Sequence, residues 1–421
     1  MIVEQTVAAW YLALTFVVLV SAIAALLRVP AGKAGIAYFF VGFPAFHFHG
    51  PLVIALLLAT VGAALSGALE TGRGLAALVA AIAATAALVT IRARSQRIAA
   101  PLTRALAEAL GDFNGRAQTQ NPAPARVLAP GFFSNPLRLR LPGVECIANL
   151  SYGDAGKRNL LDLYRPVGTN SSSRLPVLLW IHGGGWMMGH KAQQGLPLMQ
   201  RMASHGWIAA SVNYRLAPAC RFPDPIVDIK RAIAWLRRHG AAHGADARFI
   251  VTCGGSAGGH LAALAALTPN RPEFQPGFES EDTTVAAAVP LYGRFDFIDR
   301  SGVLDHKAFL MNFLGDKVMP CRYEDDPALW DLMSPIAHVG TSAPPMLVVH
   351  GTHDSLIPIE EAQAFVEALR KVSAQPVAFG RLHGAQHAWD LYSTPWSTHT
   401  AEAILSFTEH FLARDPSSRS K

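Results

Sequence analysis

The chain has 421 residues, four cysteines and a formal net charge of +6 at pH 7. That length exceeds one small domain and allows a large catalytic domain with an accessory region. The cysteines form no CxxC pair and no zinc spacing with histidine, and no nucleic-acid recognition motif accompanies the basic charge, so we expect neither a metal site nor a nucleic-acid partner.

The front of the chain is apolar. Residues 1–91 contain five charged side chains, namely Glu4, Arg28, Lys33, Glu70 and Arg73. Three uncharged runs approach the length that crosses a bilayer core, and they cover residues 8–27, 51–69 and 75–91. A shorter block at 34–46 could be a re-entrant or interfacial piece, or part of a fourth span. We therefore expect residues 1–95 to form a multi-pass transmembrane helical region with membrane lipids as partners.

A basic collar follows this region. Eight arginines lie between residues 92 and 140, against the two acids Glu108 and Asp112. Beside a membrane, such a collar is better explained by anionic headgroups than by nucleic acid. With three spans, Arg28 and Lys33 fall on the same side as the collar, and the positive-inside rule places the main domain in the cytoplasm. With four spans, the basic residues fall on opposite faces and the rule gives no orientation.

Residues 96–136 are predicted to form an amphipathic helix and a linker. Leu102, Leu106 and Leu110 recur every four residues with charged side chains between them, which is typical of an amphipathic helix. The apolar face could lie on lipid or could cover the entrance of a site in the next domain. Residues 112–136 are rich in Asn, Pro, Gly and Gln, as linkers are.

Over residues 137–421, strand-like runs alternate with helical patterns. This alternation predicts an α/β fold in which helices cover both faces of a mostly parallel sheet. The predicted strands cover residues 160–163, 176–181, 207–212, 249–253, 285–291, 346–349 and 377–381. Ligands of such sheets bind at the carboxyl ends of the strands, so residues directly after these runs are candidates for a site.

Two glycine-rich motifs follow predicted strands. Residues 182–186 read HGGGW, and residues 254–259 read GGSAGG. A serine between glycines at a strand-to-helix turn is typical of a nucleophile elbow, because small neighbours allow the strained turn and the following helix aims N–H groups at an oxyanion. The first glycine run supplies further backbone donors for the same oxyanion. Together the motifs predict acyl transfer, most simply ester hydrolysis.

A serine nucleophile needs a base, and the base needs an orienting carboxylate. Asp354 comes directly after a late strand and is the candidate acid. His387 is the favoured base because it lies in the loop beyond the last strand, where its side chain can turn back toward Ser256. His383 is the alternative base. Three acids follow an earlier strand and fit a lid, namely Asp296, Asp299 and Asp305.

With these motifs, NYRLAP at 213–218 and HGTHD at 350–354, residues 140–415 resemble the hormone-sensitive-lipase-type carboxylesterases of the α/β-hydrolase superfamily. The resemblance implies an α/β-hydrolase fold with a cap over about residues 293–340. It implies Ser256 as nucleophile, His387 as base and Asp354 as orienting acid. It also implies roles for the glycine loop: backbone oxyanion donors at Gly184, Gly185 and Ala257, and support of the loop by His182 and Gly183.

Combined with the apolar front end, this resemblance implies a membrane-anchored serine carboxylesterase or lipase. It would hydrolyse short-to-medium acyl esters or lipid esters through an acyl-enzyme, and no metal or organic cofactor is expected. A prenylcysteine methylesterase- or amidase-like hydrolase, or an acyltransferase, could use the same triad. Two features depart from the family pattern: Gly255 stands where members often carry an aspartate, and the apolar front end is an addition.

Overall fold

The computed structural model describes residues 2–111, 136–137 and 140–415. The predicted linker at 112–136, apart from Pro136, lies outside the described residues. Within the described part, the front end consists of long helices and the remainder is built on one large sheet.

Three helices at the front are long and apolar enough to cross a membrane, by length and composition. They are α1 (Ile2–Leu26), α2 (Lys33–Leu65) and α3 (Gly72–Gln96). The block at 34–46 lies in the first part of α2, which the kink at Phe48 separates from the second predicted run, so its interpretation as a separate piece stays a prediction. The backbone of α2 kinks at Phe48, between Pro44 and Pro51, because proline lacks an N–H and crowds the preceding turn.

Small and polar side chains lie where α1 and α2 meet. A Cβ on Gly42 would lie 2.9 Å from the nitrogen of Ala25, so α1 and α2 approach closely there. Farther along, Tyr11 Oη and Thr60 Oγ1 are hydrogen bonded at 2.7 Å. Large apolar side chains face outward and are more than half exposed, namely Trp10, Phe16, Val17, Leu58, Leu65 and Val79. This pattern is the one that helix packing in lipid favours.

An eight-stranded sheet forms the centre of residues 140–415. Its strands are β1 (Val144–Ser151), β2 (Leu160–Pro166), β3 (Leu175–Ile181), β4 (Ile208–Val212), β5 (Ala245–Gly255), β6 (Ala287–Leu291), β7 (Met346–Gly351) and β8 (Val377–Leu382). The order is β1-β2-β4-β3-β5-β6-β7-β8; β2 is antiparallel to both neighbours, and the other pairs are parallel. The predicted mostly parallel sheet is confirmed. The edge strand β1 was not predicted, because it is largely exposed and lacks an apolar run.

Helices cover both faces of this sheet. In chain order they are α5 (Leu196–Ser204), α6 (Asp224–His239), α7 (Ala257–Leu267), α8 (Lys307–Phe313), α9 (Pro327–Leu332), α10 (Ile359–Val372) and α11 (Pro395–Leu412). Alternate residues of β3 point to opposite faces, so Leu178 packs in the core with α5 and α11, whereas Leu179 packs in the core with α6 and α7. Helices α8 and α9 lie within 293–340, where a cap was expected.

The predicted amphipathic helix is α4 (Ala99–Leu110), and its apolar face is covered by the sheet domain. Leu102 and Leu106 are buried, and α4 packs against β8 and α11. A Cβ on Gly380 of β8 would lie 2.6 Å from a methyl carbon of Leu102, so this glycine allows the close approach. The expected placements of α4 on lipid or over a site entrance are therefore wrong.

Candidate active site

Parallel pairing brings the carboxyl ends of the central strands to one edge of the sheet. β3 ends at Ile181 beside Gly254 of β5, and β7 ends at Gly351 beside Leu382 of β8. The loops that leave these ends carry the residues predicted from the sequence. Distant parts of the chain therefore meet at this edge.

Ser256 occupies a strained turn between β5 and α7. Its φ of 58° and ψ of −120° lie outside the regions that non-glycine residues ordinarily adopt. The turn is held by the Ser256 N–H, which donates to the carbonyl oxygen of Leu291 at 3.0 Å. A Cβ on Gly258 would lie 2.0 Å from the carbonyl oxygen of Ile181, so only glycine lets the helix start this close to the sheet. The turn has the geometry expected of an elbow.

His387 and Asp354 form a buried pair. His387 Nδ1 lies 2.7 Å from Asp354 Oδ2, and His350 Nε2 lies 3.2 Å from the same oxygen. The other carboxylate oxygen accepts from the N–H groups of Leu356 and Ile357 at 2.9 and 2.8 Å. Burial works to raise the pKa of Asp354, but the two histidines hold it well below its usual range. The acid is thus ionised and rigidly oriented toward His387.

The alternative base His383 and the acids expected in a lid have other partners. The ring of His383 faces His353, with centroids 6.0 Å apart. Asp296 pairs with Arg300, and Asp299 accepts from the N–H of Val303 at 2.9 Å. Of the candidate bases, the structure brings His387 to Asp354.

His182 supports the glycine loop, residues 183–185, through hydrogen bonds and ring stacking. Its ring is buried, and Nδ1–H donates to the carbonyl oxygen of Gly183 at 2.7 Å. Its own carbonyl accepts from Tyr214 Oη at 2.9 Å, and the two rings are stacked with centroids 4.4 Å apart. Burial lowers the pKa of His182 to about 4, so the ring is neutral at pH 7. A neutral ring in one tautomer fixes the loop that follows it.

The glycine loop lies directly against the elbow. A Cβ on Gly183 would lie 3.0 Å from Ser256 Cβ, and the Gly183 N–H donates to Gln194 Oε1 at 2.6 Å. Gly184 and Gly185 have φ values of 114° and 61°, which favour glycine. Within the part of the chain that the structure describes, the N–H groups of these two glycines donate to no other residue. These two N–H groups can therefore donate to a group bound beside Ser256.

Ala257 contributes a donor of another kind. It is the first residue of α7, directly after Ser256, and is buried. The first N–H groups of a helix have no intrahelical acceptor, and the helix dipole adds partial positive charge there. The arrangement of Ala257 and the glycine loop can stabilise a negative oxygen bound at Ser256.

A buried tyrosine and aspartate beside the site were missed. Tyr292 follows β6 directly, and its hydroxyl donates to Asp390 Oδ1. The ring of Tyr292 lies 4.6 Å from that of His387, edge to face. A Cβ on Gly255 would lie 2.2 Å from Tyr292 Oη, so the tyrosine fills the space that an acidic side chain at 255 would need. The sequence signal that could have identified them is their position, because Tyr292 directly follows a strand and Asp390 lies close to His387 along the chain.

The helix α2 forms a second unpredicted part of the site. The rings of Phe39 and His387 meet edge to face, with centroids 6.1 Å apart. Seven residues line a narrow apolar crevice between α2 and the His387 loop, which is too tight to hold a water molecule in this structure, namely Phe39, Gly42, Phe43, Phe46, His47, Gln386 and His387. Ser355 Oγ, next to Asp354, donates to the carbonyl oxygen of Gly35 at 2.9 Å. No local sequence signal links these segments.

Comparisons with known proteins agree with this architecture. The BD-FAE family model matches residues 161–369. Esterase LipQ of Mycobacterium tuberculosis is 45% identical over 260 residues, which are 62% of this chain and 61% of that protein. Isoprenylcysteine alpha-carbonyl methylesterase ICME of Arabidopsis thaliana is 30% identical over 235 residues, which are 54% of this chain and 53% of that protein. The chain thus spans less than two thirds of these relatives.

A solved structure extends the comparison to the fold. The esterase Est2 of Thermogutta terrifontis with butyrate bound is 27% identical, with a TM-score of 0.53. The alignment covers 66% of this chain and 97% of the Est2 chain. The α/β-hydrolase fold expected from the sequence is confirmed, and so is the resemblance to carboxylesterases.

Proposed function

We propose that residues 140–415 belong to the hormone-sensitive-lipase-type carboxylesterases of the α/β-hydrolase superfamily. On this premise, the protein is a membrane-anchored serine carboxylesterase. The observation that carries the proposal is the buried His387–Asp354 pair, with its atoms 2.7 Å apart, at the sheet edge where Ser256 occupies a strained turn. A hydroxyl on such a turn and an oriented imidazole are the groups that acyl transfer requires.

The chemistry follows from the way His387 is held. Because Nδ1 is engaged with Asp354, Nε2 is the nitrogen that accepts the proton of Ser256 while its Oγ attacks the ester carbonyl carbon. Asp354 stabilises the resulting imidazolium, which then gives its proton to the leaving alcohol. A water molecule next attacks the acyl-enzyme and gives a proton to His387. The carboxylic acid leaves as that proton returns to Ser256 Oγ.

The oxyanion formed in both halves of the reaction is assigned to three backbone donors, on Gly184, Gly185 and Ala257. The Gly183 N–H is excluded from this set, because Gln194 Oε1 accepts it at 2.6 Å. Each donor in such a set typically contributes about 3 kcal/mol to the transition state. The fixed glycine conformations mean that little reorganisation accompanies the charge.

The membrane-anchored part of the proposal rests on the front end. Three helices have the length and apolar composition of membrane spans, and their outward side chains are large and apolar. Helix α2 also carries Phe39 and Phe43 to the crevice beside His387. An apolar wall continuous with a membrane helix favours esters with long acyl or other lipid chains, which could enter from the bilayer.

The basic residues favour a cytoplasmic catalytic domain. Arg28 and Lys33 border the connection between α1 and α2, and Arg94 and Arg97 lie at the end of α3. Arg94 Nη1 donates to the carbonyl oxygen of Leu26, so both groups lie at the same end of the helix bundle. That end meets the sheet domain through the contact of Gly35 with Ser355. The positive-inside rule then gives the proposed orientation.

The test is hydrolysis of p-nitrophenyl esters of increasing acyl length by the full-length protein in detergent. We expect Ser256→Ala to lower kcat by at least about a thousandfold while leaving thermal unfolding cooperative. A fluorophosphonate probe should label the wild type and fail to label this variant. Equal rates or equal labelling in the two proteins would falsify the proposal.

A second candidate substrate is a prenylcysteine methyl ester. The 30% identity to the Arabidopsis methylesterase favours it, and the wall formed by Phe39 and Phe43 suits an isoprenyl chain. The same triad would attack the methyl ester carbonyl. Comparing kcat/KM for prenylcysteine methyl ester, matched amides and p-nitrophenyl esters separates this activity from general esterase and amidase activities. Product analysis with added lipid alcohols separates an acyltransferase.

A further inference from the structure

The first part of α2 packs directly against the Asp354 loop, residues 352–358. Ser355 follows Asp354 and is fully buried, and its Oγ donates to the carbonyl oxygen of Gly35 at 2.9 Å. A Cβ on Gly35 would lie 2.2 Å from the carbonyl oxygen of Ser355, so the two backbones touch and only glycine fits at this point of α2. A hydrogen bond and close packing therefore join the front end to the loop that carries the candidate acid.

The same serine links the Asp354 loop to the His387 loop, residues 383–389. The N–H of Ser355 donates to Gln386 Oε1 at 3.2 Å, and the N–H of His387 lies 3.4 Å from the same oxygen. Gln386 is buried. Because Asp354 precedes Ser355 and His387 follows Gln386, this amide oxygen bridges the two loops directly beside the candidate acid and base.

Two further contacts join the front end to these loops. Arg28, at the connection between α1 and α2, pairs with Glu360 in the first turn of α10, which begins directly after the Asp354 loop. Arg94 of α3 lies against the His387 loop, where a Cβ on Gly384 would be 3.0 Å from its side chain. The Arg28–Glu360 pair is exposed and contributes little energy. Together these contacts show that the front end meets both loops at more than one point.

The alignment of the candidate acid and base depends on how these loops are held. Loops are the more mobile parts of a fold, whereas catalytic groups must stay within about 0.5 Å of their working geometry. A displacement of about 1 Å can cost a hundredfold in rate. The Ser355 hydroxyl is directed to Gly35, so its effect on the reaction is indirect and acts through Asp354 and His387.

We propose that Ser355 is a positioning residue, and that the front end uses its contact with Gly35 to hold Asp354 and His387 in the alignment that ester hydrolysis requires. This inference rests on the function proposed above. It gives α2 a role besides that of a membrane anchor, because a shift of this helix away from the sheet domain lowers turnover without removing any residue of the triad.

The test compares turnover per active site in full-length variants in detergent. Titration to completion with a fluorophosphonate counts the sites with a reactive Ser256, and dividing the rate by this count removes the contribution of unfolded protein. We expect Ser355→Ala to lower kcat per site for p-nitrophenyl acetate by about tenfold and to leave KM within about twofold. A residue that only stabilises the fold would lower the unfolding midpoint and the number of sites, but not the turnover per site.

A second variant acts from the other side of the same contact. Gly35→Ala places a methyl group against the carbonyl oxygen of Ser355 and should lower kcat per site by a similar factor. Gly62→Ala is the matched control on α2, because a Cβ there meets nothing within 4 Å. Ser95→Ala is the control for the serine change, because Ser95 is also buried and its hydroxyl donates to the carbonyl oxygen of Arg92 within α3.

The outcomes distinguish this inference from the proposed function. Wild-type turnover per site in Ser355→Ala and Gly35→Ala, with Ser256→Ala inactive, overturns the positioning role and leaves the esterase proposal standing. An equal loss in the control variants overturns it as well, because the loss would not depend on the contact. A wild type that neither turns over esters nor reacts with the fluorophosphonate overturns both. If one of the two contact variants does not fold, the other decides the result.

Discussion

The ring of Phe39 on α2 and the imidazole of His387 meet edge to face, with centroids 6.1 Å apart. One residue belongs to the apolar front end, and the other to the loop after the last strand. The front end is therefore part of the wall beside the candidate active site as well as a candidate membrane anchor.

Phe39→Ala should reduce kcat/KM for long-chain p-nitrophenyl esters by about fivefold to tenfold and leave acetate hydrolysis nearly unchanged. The reason is that a buried acyl methylene contributes about 0.8 kcal/mol, and removal of the ring takes away part of the surface that buries it. The measurement is kcat/KM across acyl lengths in detergent.

Phe16→Ala is the control for that substitution. Phe16 has the same side chain on α1, is 61% exposed and is not among the residues that line the crevice. It should leave the acyl-length profile unchanged. A loss of the same size for acetate and for long chains in Phe39→Ala would show that Phe39 positions His387 instead of contacting substrate.

Asp354→Asn should lower kcat by about a thousandfold to ten-thousandfold, because a neutral amide cannot stabilise the imidazolium of His387. The substitution also tests the lowered pKa of Asp354. A carboxylate with a depressed pKa stabilises the fold above its unfolded pKa of about 3.9, and this stabilisation is lost as pH falls through the lower folded value. The unfolding midpoint of the wild type should therefore fall relative to that of the variant below about pH 4. A constant difference between pH 7 and pH 3 would contradict this.

Gly184→Ala should lower kcat/KM by at least about a hundredfold, the usual effect of losing an oxyanion donor. A Cβ there would lie 2.2 Å from the carbonyl oxygen of Met188, and the φ of 114° is strained for alanine. Gly340→Ala is the matched control, because a Cβ at 340 meets nothing within 4 Å. Kinetics and thermal unfolding of both variants check the prediction, and similar kinetics in the two would count against the assigned oxyanion site.

Asp390→Asn should stabilise the protein at pH 8 more than at pH 4.5. Burial raises the pKa of Asp390 to about 6, and the unfolded value is about 3.9. A raised carboxyl pKa contributes stability that is present below the unfolded pKa and is lost as pH rises through the folded pKa. The neutral amide keeps an acceptor for Tyr292 and does not titrate. The expected difference is on the order of 1–3 kcal/mol of unfolding free energy between the two pH values, measured by denaturant unfolding; a difference of opposite sign would exclude a raised pKa.

Much of the fold was predictable because its signals are local. Buried strands appear as short apolar runs, and seven of the eight described strands were predicted in this way. The exposed edge strand β1 has no such run. The elbow and the glycine loop were also recognisable, because steric limits at Gly183, Gly258 and Ser256 leave few residue types possible.

The sequence by itself was enough to predict the candidate catalytic residues, and it fixes their order along the chain and the apolar length of the front helices. Only the tertiary structure decided that His387 rather than His383 meets Asp354, that α4 seals β8, and that Phe39 lies beside the imidazole. The physical reason is the distance along the chain over which each interaction acts. Backbone strain and periodicity act between near neighbours and leave a local pattern, whereas contacts such as Phe39 with His387 or Tyr292 with Asp390 join distant segments and depend on how the helices and strands pack.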